Sequence, residues 1–92
     1  MGRLIGLDYG SKRVGIAETD DLQIIASPLI TVHSRDAINF ILEYSQKYTL
    51  DAVIVGLPKN LNSSDTHATN IVKQFIIQLN IIGLRMHIYL LA

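Results

Sequence analysis

An α/β fold with a mixed five-stranded sheet is what this sequence predicts, on three observations. Short apolar runs of strand length alternate with two longer stretches of helical apolar spacing, in the order strand, strand, strand, helix, strand, helix, strand. One run, residues 52–56, is almost uninterrupted in its apolar character, as expected of a strand covered on both faces at the centre of a parallel sheet. The helical stretch before it supplies the crossover that a parallel neighbour requires.

Each element has a local reason. Residues 3–8 form an apolar run ending in Asp8, and a Gly-bounded turn with Lys12 and Arg13 leads into a second strand over 14–19. Asp20 and Asp21 offer side-chain acceptors for a reversal, and residues 22–30 read as a third strand interrupted at Ser27 and Pro28. Proline cannot donate a ladder hydrogen bond, which puts that strand at the sheet edge and completes an antiparallel meander. Ser34 is the predicted N-cap of a helix over 35–47 that buries Ile38, Ile41, Leu42 and Ser45, flanked by Ala37, Tyr44 and Tyr48. A strand over 51–56 ends at Gly56, and Pro58 follows. After a polar loop, Ser63 or Ser64 caps a helix over 65–80 that buries Ala68, Ile71, Val72, Phe75, Ile76 and Leu79. Gly83 suits the position just past its end, and 84–91 alternates as a fifth strand.

Composition narrows the functional classes. A chain of 92 residues has room for one small domain with little stability to spare. Its 49% hydrophobic and 17% charged content exclude a disordered tail. Zero formal net charge offers no global attraction to nucleic acid, so any such binding must come from a local basic cluster. The absence of cysteine excludes a disulfide, a thiolate zinc site and a catalytic thiol, and fits a reducing compartment. The N-terminus lacks a signal-peptide layout, and Gln78, Asn80, Gly83 and Arg85 break the longest apolar stretches, so a soluble cytoplasmic protein is expected.

The chemistry concentrates at two places. Asp8 ends a buried strand, where an ionised carboxylate needs a turn-capping role, a metal ion, or a phosphate-bearing ligand held through that metal. Lys12 and Arg13 lie within reach of the same ligand. The loop after the fourth strand, with Lys59, Asn60, Ser63 and Ser64, lies at the same sheet edge. There Lys59 and the N-terminus of the next helix could receive a phosphate, although well-made strand-to-helix turns often bind nothing. Tyr9 is expected beside this edge, with packing favoured and base stacking open. Glu18 is expected to face solvent. His33, His67 and His87 have no metal-ligand spacing and read as solvent-facing or loop residues, with only His67 placed near the site.

Asp8, Gly10, Lys12, Arg13, Gly15, Ile16 and Ala17, followed by Asp20, the 22–26 segment, Pro28-Leu29 and the Gly56-Leu57-Pro58 strand end, together resemble the YqgF/RuvX family. This family comprises RuvC-like nucleases described as pre-16S rRNA nucleases and as Holliday-junction-resolvase-like proteins. The resemblance implies a ribonuclease-H-like sheet with the first strand central and beside the fourth. It also implies two-metal hydrolysis of phosphodiester bonds with Mg²⁺ or Mn²⁺. Asp8 would be the catalytic metal ligand, with Lys12, Arg13, Lys59, Asn60, Ser63 and Ser64 as substrate contacts. The implied substrate is precursor 16S rRNA or branched DNA. Relatives carry an Asp-Glu-Arg segment after the fifth strand and a further Asp near a C-terminal helix, and neither occurs in these 92 residues. The domain is therefore expected to be incomplete at its C-terminus. One apolar sheet face would then be uncovered, favouring marginal stability or self-association. A catalytically incomplete binding domain of the same fold is the alternative.

Overall fold

Five strands and two helices follow one another in the expected order in the computed structural model, which describes residues 2–10, 12–58 and 66–91, with side-chain surroundings for 2–10, 12–56 and 73–87. Strands β1 (Arg3–Tyr9), β2 (Arg13–Thr19) and β3 (Ala26–His33) lead through a single 3-10 turn (Ser34–Asp36) into helix α1 (Ala37–Lys47). Strand β4 (Leu50–Pro58), helix α2 (Thr66–Ile82) and strand β5 (Met86–Leu91) complete the order. The strands lie side by side as β3-β2-β1-β4-β5, with β1, β2 and β3 antiparallel in sequence and β1, β4 and β5 parallel. The first strand is central and beside the fourth, as the resemblance implied.

Two-residue alternation decides what each face of the sheet does. Ile5, Leu7 and Tyr9 of β1, Val14 and Ile16 of β2, and Val53 and Val55 of β4 point to one side, where they meet Ala37, Ile41 and Tyr44 of α1 and Phe75 and Leu79 of α2. Both helices therefore pack on the same face. Full burial of each large aliphatic side chain contributes roughly 1.5–3 kcal/mol, so this single layer carries most of the folding free energy. The opposite face carries Gly6 and Asp8 of β1, Gly15 and Ala17 of β2, and Ile54 and Gly56 of β4, which line an open groove of about 630 Å³ reaching Pro28, Leu29 and Thr31 on β3.

Three expectations about elements are corrected. Residues 22–25 are not strand. They form a turn in which the Asp20 carboxylate accepts backbone N–H bonds from Ile24 and Ile25, both at 2.8 Å, while Gln23 adopts φ 59°. Strand β3 therefore starts at Ala26 and runs on to His33. The edge position inferred from Pro28 holds, and the ladder is irregular next to it, between Ile16 and Ala17. At the helix start, His33 caps the 3-10 turn, its ring accepting from the Arg35 N–H, while α1 begins only at Ala37, with Asp36 rather than Ser34 at its N-cap position and no side-chain bond from Asp36. The buried stripe of α1 is Ala37, Ile41 and Tyr44, while Ser45 is half-buried and donates its hydroxyl to the Leu42 carbonyl at 2.7 Å. In α2, Phe75 and Leu79 are buried and Ile76 packs against them, as expected; the expectations for Ala68, Ile71 and Val72 lie outside the described side chains. No helix among the described residues is long and apolar enough to cross a membrane.

Candidate active site

Alternation along β1 makes Asp8 an outlier among its neighbours. Leu7 and Tyr9 go into the core, so Asp8 must face the open side, where it is exposed. Its strand partners are Gly15 on β2 and Gly56 on β4, so no side chain flanks the carboxylate on either side. A Cβ at Gly15 would stand 3.7 Å from the Asp8 Cβ, in ordinary contact, so an alanine fits there but fills space next to the acid. Asp8 has no hydrogen bond or ion pair with any described residue. A carboxylate so placed at a sheet end is free to receive a cation or a ligand donor.

The loop that follows brings two cations to this edge. Gly10 donates its backbone N–H to the Arg13 carbonyl at 3.0 Å, and a Cβ on Gly10 would lie 2.9 Å from that oxygen, so the turn closes only with glycine. Lys12 and Arg13 are both exposed, and neither side chain has a partner among the described residues. The Lys12 carbonyl accepts the Ser34 N–H at 2.8 Å, tying this loop to the end of β3. Arg13 pairs with His33 in the β2–β3 ladder, while Val14 and Val32 on the next row turn to the core. Arg13 and His33 thus stand on the same face as Asp8.

Of the residues the sequence nominated, the structure brings Asp8, Lys12 and Arg13 to one edge. Lys59, Asn60, Ser63 and Ser64 lie outside the described residues. Strand β4 runs parallel to β1 with Gly56 opposite Asp8, so the C-terminal end of β4 lies at the same edge. Tyr9 is corrected on base stacking: it is 2% exposed, with its ring 4.7 Å from that of Phe75, and burial pushes its phenol pKa up. Glu18 is corrected from solvent-facing to paired. It sits opposite Ile5 on the helix side, accepting the Tyr44 hydroxyl at 2.8 Å and Arg3 Nη1 at 3.1 Å. It is three ladder rows from Asp8, roughly 10 Å along the strand, and adds nothing to the Asp8 edge. His87 is exposed, while the side chain of His67 lies outside those described. His33 is the residue that sequence reasoning set aside and the ladder places on the Asp8 face. The signal was its even spacing from Leu29 and Thr31, legible only once β3 is known to continue to residue 33.

A divalent ion needs several oxygen ligands held in register. No cluster of three or more His, Cys, Asp or Glu side chains able to hold a metal occurs among the described residues. Those residues supply one anionic ligand, Asp8, and do not by themselves complete a divalent site.

Residues 2–91 match the family described as "RuvX: Holliday junction resolvase". Curated relatives named "Putative pre-16S rRNA nuclease" include one from Amoebophilus asiaticus, 45% identical over 76 residues that cover 83% of this chain and 54% of the relative. One from Phocaeicola vulgatus is 42% identical over 79 residues, covering 86% and 57% respectively. The chain thus spans about half the length of the curated relatives it matches. Among solved structures, T. thermophilus RuvC in complex with a Holliday junction substrate superposes with a TM-score of 0.65 at 13% identity, covering 98% of this chain and 64% of that one. At that identity the likeness establishes the fold alone.

Proposed function

Because the chain belongs to the RuvX family of Holliday junction resolvases, we propose that it carries part of the active site of a metal-dependent nuclease acting on structured nucleic acid, with the 5′ end of precursor 16S rRNA as its substrate. The observation that carries this reading is the exposed, unpartnered Asp8 carboxylate at the end of the central strand, flanked by Gly15 and Gly56 and joined at the same edge by Lys12 and Arg13. Asp8 would hold one side of a Mg²⁺ or Mn²⁺ ion, which when bound polarises a phosphoryl oxygen and lowers the pKa of a coordinated water. Lys12 and Arg13 neutralise phosphates and fix the backbone, and Lys59, Asn60, Ser63 and Ser64 contact it from the β4 side. Processing of ribosomal RNA would place the protein in the cytoplasm.

The test is cleavage of a 5′-extended 16S precursor and of a four-way DNA junction, with Mn²⁺, by the wild-type protein and by Asp8→Asn. Metal-dependent cleavage lost in the variant supports the reading, and undiminished cleavage by the variant removes it. A second reading, a binding domain without hydrolysis, is favoured by the single carboxylate among the described residues at this edge. Binding of either substrate without turnover at any metal concentration would select it. The apolar groove and zero net charge also support self-association of this chain, which sedimentation would show as a species heavier than the monomer.

A further inference from the structure

The β2–β3 ladder puts a second pair of donors on the open face beside Asp8. Asp8, Gly15 and Thr31 form one cross-strand row, and Arg13 and His33 form the pair two residues further along. Adjacent strands lie about 4.8 Å apart, so this pair sits next to the Asp8 row and extends the edge by one strand beyond β2. His33 is fixed in a particular way. Its Nδ1 accepts the Arg35 backbone N–H at 3.2 Å, so in the neutral ring the proton is on Nε2, which has no partner among the described residues. The same cap holds the ring, so the Nε2–H donor is oriented before any ligand arrives. Arg13 beside it is exposed and equally unpaired, and the bond from Ser34 N–H to the Lys12 carbonyl ties the two ends of the pair together.

We propose that Arg13 and His33 form a second phosphate subsite, which takes a phosphate neighbouring the one at Asp8 and so leads the nucleic-acid strand across the sheet edge from β1 towards β3. This rests on the nucleic-acid reading above and adds to it a binding residue and a direction. Arg13 contributes charge and a planar fork of donors; His33 contributes one neutral, pre-oriented donor. The division of labour gives each residue its own signature. Loss of the cation reduces counterion release, whereas loss of the neutral donor weakens binding without changing the salt slope.

The experiment is equilibrium binding, by fluorescence anisotropy in EDTA at pH 8, of a fluorescein-labelled RNA hairpin with a single-stranded 5′ extension. Wild type, Arg13→Ala, His33→Asn, His33→Asp and the Arg13→Ala/His33→Asn double variant are compared over a range of KCl. Asn and Asp both keep an acceptor for the cap, so the fold is retained, and the melting temperature of each variant checks this. Expected is a loss of about tenfold for Arg13→Ala and for His33→Asn, a larger one for His33→Asp, and a double variant weakened by less than the product of the two. The log–log salt slope falls by about 1 for Arg13→Ala and is unchanged for His33→Asn. If His33→Asn and His33→Asp bind as wild type does while Arg13→Ala is weakened, the subsite is overturned and the nucleic-acid reading stands. A wild-type protein that does not bind the hairpin overturns both.

Discussion

The two ends of β1 carry one charged side chain each, Arg3 and Asp8, and the molecule treats them in opposite ways. At the Arg3 end every group is engaged. The guanidinium donates to Glu18 and Asp21, both at 3.1 Å, lies 3.8 Å from the centre of the Tyr48 ring, and comes within 3.4 Å of the Tyr44 hydroxyl, which itself donates to Glu18. The Gln23 amide extends the ties by donating to the Gly2 carbonyl and to Asp51. At the Asp8 end, Asp8, Lys12 and Arg13 have no side-chain partner among the described residues. Charges that close on one another hold a fold in register; charges left open at a shared edge are available to a ligand. The contrast lies within 7 residues of a single strand.

Mutations at the two ends should therefore part company, and the largest expected effect is at the open one. Asp8→Asn should reduce metal-dependent cleavage by at least about 100-fold, since a direct ligand matters at least as much as an outer-shell partner, with the melting temperature unchanged or raised. A kinetic assay paired with a thermal melt reads both. Tyr44→Phe should do the reverse, costing about 1–3 kcal/mol by removing a donor from a half-buried carboxylate, with no effect on turnover by the folded protein. Denaturant unfolding measures that loss, and a drop in turnover would break the division between the ends. Lys12→Ala should weaken RNA binding only modestly while lowering the salt slope by about 1, with stability unaffected.

The smallest effect concerns pH at the turn next to the closed end. Backbone N–H bonds from Ile25 and Ile24 hold the Asp20 carboxyl below its ordinary value of 3.8. A depressed folded-state pKa means that the carboxylate stabilises the fold fully above the unfolded value, and that this contribution fades as pH falls through the lower folded value. Asp20→Asn should thus lower the melting temperature slightly at pH 7, and the gap should close below about pH 4. A gap of constant size from pH 7 to pH 3 would mean that the carboxylate's charge plays no part in the turn.

What the sequence disclosed follows from the range of each interaction. Periodicity exposed all five strands and both helices, because burial on one face repeats every two or 3.6 residues. Residues 22–25 misled it: Leu22, Ile24 and Ile25 look like strand, yet one carboxylate at Asp20 satisfies two backbone donors and turns the chain, leaving all three apolar side chains 62–74% exposed. Glu18 could not be read locally, since its partners Arg3 and Tyr44 are 15 and 26 residues away. Tyr9 could have been: with Ile5 and Leu7 inward, the same alternation that turns Asp8 out turns Tyr9 in. Asp8, Lys12 and Arg13 were legible because a strand and its turn bring them together within 6 residues of chain. His33 reaches the same face only through the β2–β3 register.

The most direct test of the claim that Asp8 serves a ligand and not the fold is thermal unfolding of wild type and Asp8→Asn across a Mn²⁺ titration. If Asp8 serves a ligand, the variant starts at or above the wild-type melting temperature without metal, and Mn²⁺ raises only the wild-type value. A variant that starts lower, or one that rises with Mn²⁺ as far as wild type does, would contradict it.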